Sequence, residues 1–106
     1  MKTEHDIQNL IRVSLNKRGH TVFRTNVGKV KTTDGRWFDT GLPKGHSDLC
    51  GFRKGDAKAF YIEVKNAKGR VRPEQENFLR VVTERGALGG VARSVEDAIE
   101  IVEGGN

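Results

Sequence analysis

The chain has 106 residues, 35% hydrophobic and 31% charged, enough for one domain (1–106) with a single modest core and too little for two. No run approaches the roughly 18 apolar residues of a membrane span, the N-terminal residues are polar where a signal peptide is apolar, and the one cysteine, Cys50, excludes an internal disulfide. Lys and Arg outnumber Asp and Glu by 19 to 14, a balance that draws in a polyanion, of which nucleic acid is the commonest.

Thr3 with Asp6 three residues on resembles a capping box. Ile7, Leu10, Ile11 and Leu15 follow at helical spacing, and Gly19 is a suitable stop. Glu4 lies along the edge of that stripe, where a first-turn acid suits the helix dipole. Residues 20–27 read as a strand from their β-branched and aromatic content. The segment 28–46 is either a short hairpin about Asp34-Gly35 or one long ordered loop. It carries Lys29, Lys31, Arg36 and Lys44 together with Trp37 and Phe38. Basic residues interleaved with aromatics suit a nucleic-acid backbone and an unstacked base. Equally, the two aromatics would anchor the loop on the core or fill a subunit interface.

Asp48 opens a second strand, 48–53, in which Cys50 reads as a small buried core residue. In the strand centred on Tyr61-Ile62-Glu63-Val64-Lys65, alternation puts Phe60, Ile62 and Val64 on one face and Tyr61, Glu63 and Lys65 on the other. If the two strands are neighbours, about 4.8 Å apart, Asp48 and Glu63 share one hard cation with an ammonium beside them. As a bare pattern this is weak, because an Asp and a Glu-x-Lys more often make a surface salt bridge. A basic connection with Arg70 and Arg72 leads to Pro73, well placed for a helix's first turn. There Phe78, Leu79 and Val82 form the buried stripe and Gln75 faces inward. Residues 86–92 read as a small-residue strand, and Ser94 with Asp97 caps a last helix that ends at Gly104-Gly105. His46, two residues before Asp48, touches a phosphate or stands as an exposed loop histidine. The three histidines and one cysteine show no zinc spacing.

Gly45-His46-Ser47-Asp48, Glu63-Val64-Lys65 and Gln75-Glu76-Asn77-Phe78 supply a G-x-x-D strand start, an E-x-K strand and a Q-x-x-F helix behind an acidic first helix. In that order they resemble the VRR-NUC family, the virus-type replication and repair nuclease branch of the PD-(D/E)xK superfamily, over nearly the full chain. The resemblance implies an α/β fold with an α-β-β-β-α-β core, a mixed central sheet and a C-terminal helix. It also implies Mg²⁺- or Mn²⁺-dependent DNA cleavage leaving a 5′-phosphate and a 3′-hydroxyl. Carried over by position, Asp48, Glu63 and the main-chain carbonyl of Val64 would hold the metal and Lys65 would be the catalytic lysine. Gln75 would support the site, and Glu4 would hold a second ion or its water. Lys29, Lys31, Arg36, Lys44, His46, Arg70 and Arg72 remain for DNA contact. Small stand-alone members look like Holliday-junction resolvases, so the expectation is a homodimer acting on branched DNA in the cytoplasm of a bacterium or a phage-infected cell. A DNA-binding module without turnover, a flap or duplex nuclease, and a restriction-type enzyme are the alternatives; the last lacks material for a base-reading element. One departure is Ser47, where the superfamily carries proline, which leaves that turn less constrained.

Overall fold

Thr3 starts the first helix as its spacing from Asp6 predicts. In the computed structural model, which describes residues 2–104, Asp6 N donates to Thr3 Oγ1 at 3.1 Å and Thr3 N donates to Asp6 Oδ2 at 3.3 Å. The helix, α1 (Glu4–Lys17), buries Ile7, Ile11 and Leu15. β1 (Thr21–Arg24), β2 (Lys29–Lys31), β3 (Trp37–Asp39), β4 (Leu49–Phe52) and β5 (Ala59–Val64) follow, then α2 (Pro73–Glu84), β6 (Leu88–Ala92) and α3 (Val95–Glu103). The predicted end of α3 at Gly104-Gly105 falls partly outside the described residues, since Gly105 lies beyond them.

The central sheet has the order β1-β4-β5-β6, antiparallel except for the parallel pair β5/β6, so it is mixed as expected. Period-2 alternation sorts β5 between two covers. Phe60, Ile62 and Val64 are fully buried with Leu49, Ala92 and the apolar stripes of α1 and α3. On the opposite face α2 crosses β5 and β6. Two adjacent glycines in β6 let both helices approach. A β-carbon at Gly89 would meet Thr83 Cγ2 at 3.1 Å, on the α2 side, and one at Gly90 would meet Ile101 Cδ1 at 2.9 Å, on the α3 side.

The hairpin alternative for 28–46 is the one formed: β2 and β3 pair as a separate two-stranded sheet, with Val30 opposite Phe38 and Lys31 opposite Trp37. Three sequence expectations need correction. The first strand stops at Arg24, not residue 27; Thr25 N makes one last in-register bond to Asp48 O at 2.9 Å, and pairing ends there because β4 begins only at Leu49. Asp48 stands in the bend just before β4 and does not open the strand. Cys50 is only half-buried; alternation puts Leu49 on the core side and Cys50 on the other. Among the described residues no helix is long and apolar enough to cross a membrane.

Candidate active site

The antiparallel register pairs Leu49 with Ile62, so one step further Asp48 lies beside Glu63. Asp48 continues the ladder with its side chain: Val64 N donates to Asp48 Oδ2 at 2.9 Å. Glu63 is 2% exposed and Lys65 7%, with Lys65 Nζ 3.6 Å from Glu63 Oε2. The predicted acid–base pair on one strand face is therefore real, and α2 buries it. Gln75 links the two layers. As the third residue of α2 it turns Oε1 back to accept from Arg72 N at 2.9 Å, the reciprocal half of a capping box. Its Nε2 donates to Glu63 Oε2 at 2.9 Å.

Glu63 Oε1 is buried without a hydrogen-bond partner. Burial first, and then the neighbouring Asp48 carboxylate, push the Glu63 pKa up to about 8, and Lys65 offsets only part of this. Two carboxylates thus meet in a poorly solvated place that favours either a shared proton or a cation. Hard oxygen donors suit Mg²⁺ or Mn²⁺, and Mg²⁺ keeps several waters when one or two protein acids hold it. The residues therefore fit such an ion. Among the described residues no group of three or more His, Cys, Asp or Glu comes together to hold a metal. Glu4 accordingly stands apart from the pair and approaches from the Lys65 side. A β-carbon at Gly69 would lie 2.7 Å from Glu4 Oε2 and 3.2 Å from Lys65 Cδ.

A cleft of about 240 Å³ opens on this centre, lined by Val27, Lys44, Gly45, His46, Asp48, Arg72, Glu74 and Gln75. Of the predicted DNA contacts, Lys44, His46 and Arg72 reach its walls. Arg70 is exposed on the connection to α2, and Lys29, Lys31 and Arg36 are exposed on the hairpin. The exposed-loop alternative for His46 is overturned. Its ring lies 4.6 Å from that of Phe78 and 5.8 Å from that of Tyr61, and its Nδ1 is 2.8 Å from Ser47 O. Ser47 is fully buried, and its Oγ donates to Leu49 O at 2.8 Å. Hydrogen bonds therefore constrain the turn where a proline ring would otherwise do so. Spacing gave no sign of two supporting residues. Thr25 donates its hydroxyl to Asp48 O at 3.0 Å. Arg93 Nη1 donates to Asn66 O at 2.6 Å and Gly69 O at 2.8 Å, holding the loop beneath Glu4 and Lys65.

The chain matches the family model described as VRR-NUC domain over residues 2–96. A solved structure titled "VRR_NUC domain" superposes with a TM-score of 0.67 at 19% sequence identity, covering 97% of this chain and 97% of the other. Comparison with curated protein sequences gives no match. At that identity the superposition speaks for the fold, which is of the PD-(D/E)xK type, and the family model speaks for descent. This chain belongs to the VRR-NUC domain family, a nuclease-type family.

Proposed function

We propose that the protein is a divalent-metal-dependent endonuclease that hydrolyses phosphodiester bonds in branched DNA and works as a homodimer on four-way junctions. The observation that carries the nuclease part is the buried Glu63 carboxylate against Asp48, with Oε1 unpaired and the Lys65 ammonium alongside. Asp48, Glu63 and the Val64 carbonyl would hold the ion, and Glu4 would act from the Lys65 side through water or at a second position. When bound, the ion supplies Lewis-acid neutralisation of charge at the scissile phosphate. Gln75 fixes the Glu63 rotamer, so the carboxylate is aimed before substrate arrives. Lys65 offers an N–H donor to the attacking water or to the charge that builds on the phosphate oxygens. Lys44 and Arg72 draw the backbone into the cleft, and the N–H groups at the start of α2 favour an anion there. The junction preference rests on family resemblance and on symmetry, since two equivalent sites about a twofold axis mirror a four-way junction.

The test is a cleavage panel of single strand, duplex, flap and four-way junction with Mg²⁺, Mn²⁺ or chelator, run beside Glu63→Ala. Symmetric metal-dependent cuts confined to the junction, and lost in the variant, are expected. Metal-dependent cutting of flaps or plain duplex would keep the nuclease and discard the junction preference. Binding that ignores metal, with no cleavage of any substrate, would leave a DNA-binding module of this fold.

A further inference from the structure

The β2–β3 hairpin exposes the largest aromatic surface of the chain and packs on almost nothing. Trp37 is 68% exposed, Phe38 60% and Val30 42%, and neither strand makes extensive contact with any element but the other. These side chains are not what holds the hairpin together. Its turn is closed by Thr32 N donating to Arg36 O at 2.7 Å, by Arg36 N donating to Thr32 Oγ1 at 3.2 Å, and by the Thr32 hydroxyl bonded to Asp34. Its base is closed by Thr40 N donating to Gly28 O at 2.9 Å. The earlier possibility that Trp37 and Phe38 anchor this segment on the core is thereby excluded, and so much apolar surface held out on an ordered arm calls for a partner.

Cross-strand register says what kind. Residues directly opposite in a ladder share a face, so Lys29, Lys31, Trp37 and Asp39 lie on one side and Val30 and Phe38 on the other. Asp39 Oδ1 is occupied by the Gly41 N–H at 2.8 Å, and Asp34 lies 3.4 Å from Arg36. Among the described residues neither Lys29 nor Lys31 has an acidic partner within ion-pairing distance. A tryptophan opposite one such ammonium, Lys31, and diagonal to a second, Lys29, suits a base lying on the indole with its phosphates at the lysines. It suits a second protein copy poorly, because lysine is depleted from protein interfaces and an unpaired ammonium is costly to bury. The arm is also in the right place. Val27, two residues before β2, lines the cleft that holds Asp48, and Thr25 is hydrogen-bonded to the Asp48 carbonyl. Trp37 stands opposite Lys31, four residues and at most about 14 Å of chain from Val27, so a base held at Trp37 belongs to nucleotides near the cleaved bond.

We propose that the β2–β3 hairpin is a base-stacking arm, in which Trp37 captures an unpaired or unstacked base next to the scissile phosphate and so selects branched or single-stranded DNA over plain duplex. This rests on the nuclease reading of the Asp48/Glu63 cleft and adds the specificity element that the cleft itself lacks. Phe38 and Val30 give the arm an apolar back against which a neighbouring base can rest.

Trp37 is the chain's one tryptophan, so its emission reports on this residue alone. The full chain carrying Glu63→Gln, to prevent turnover, would be titrated in chelator with an oligothymidylate, a flap and a blunt duplex. Binding would be followed separately by anisotropy of a dye on the DNA. Saturating quenching by oligothymidylate and flap, with little by duplex, is expected. In the same background, Trp37→Ala should weaken flap and single-strand binding by about tenfold or more and leave duplex within about twofold, while Trp37→Phe restores most of the loss. Unchanged emission at saturating flap would overturn the proposal. So would an equal loss on all substrates, or an emission shift with protein concentration alone, which would make the arm a contact between copies. The two readings fail separately. Quenching in the Glu63→Gln chain with no cleavage by the wild-type chain in Mg²⁺ or Mn²⁺ keeps the arm and removes the nuclease; metal-dependent cleavage by the wild type with emission unchanged by bound flap does the reverse.

Discussion

Glu63→Gln should make the metal-free protein more stable at alkaline pH while abolishing cleavage. A carboxyl whose pKa rises on folding, here from 4.5 to about 8, holds its proton more tightly in the folded chain. Its contribution is fully present below pH 4.5 and drains away as pH rises through about 8. Each pH unit inside that window costs about 1.4 kcal/mol, so between pH 6 and 8 the wild type should lose about 2–3 kcal/mol from this group. For a domain of this size that is about 10 °C in Tm. Glutamine is near-isosteric and does not titrate. Its carbonyl still accepts from Gln75 Nε2, and its amide can donate to Asp48 in place of the shared proton. The assay is thermal unfolding of both proteins in chelator from pH 5.5 to 9. The curves should diverge as pH rises, with the variant ahead at pH 8.5, and Mg²⁺ should restore the wild type there by binding only the folded form. Parallel curves across the range would refute the claim that burial and Asp48 together strain this carboxylate.

Other perturbations separate chemistry from scaffold. Lys65→Met, which keeps the buried stem, should lower the cleavage rate about 100-fold or more and leave DNA affinity in chelator unchanged, measured by single-turnover kinetics and anisotropy. Gln75→Ala removes a helix cap and the Glu63 donor together and should cost about 1–2 kcal/mol in urea unfolding. Gln75→Glu keeps the cap acceptor, and its third carboxylate should depress metal-free stability at pH 8 more than at pH 6. Gly45 has φ +89° and a β-carbon there would overlap the Glu74 carbonyl. Gly45→Ala should therefore cost about 2–3 kcal/mol and impair cleavage. Gly35→Ala, at φ +87° with nothing within 4 Å, should cost only about 1 kcal/mol. The double variant Lys44→Ala/Arg72→Ala should lower the slope of log K against log salt by about 2.

Much of the site was legible because its signals are local. Alternation along 60–65 put Glu63 and Lys65 on one face, and Pro73 followed by Gln75 marked a helix start with an inward glutamine; both follow from backbone geometry that any neighbour must accept. The hairpin stayed ambiguous because a lone two-stranded ribbon is marginal without tertiary help, and Asp34-Gly35 alone did not outweigh the loop reading. The half-burial of His46 was not legible because it comes from Tyr61 and Phe78, distant in sequence and near only once α2 lies on the sheet.

The sequence by itself determined the helices, the strands of the central sheet and their order, and it offered Asp48, Glu63, Lys65 and Gln75 as the candidate site. Each depends on spacing within one helix or strand, or on the residue types that hard-cation chemistry requires. Only the tertiary structure decided what those residues experience. The Leu49–Ile62 register brings two carboxylates together, and α2 buries Glu63 while Asp48 stays half-buried at the cleft, so burial and the neighbouring charge raise the Glu63 pKa. Burial and long-range charge depend on what the chain folds against, and no local pattern encodes that.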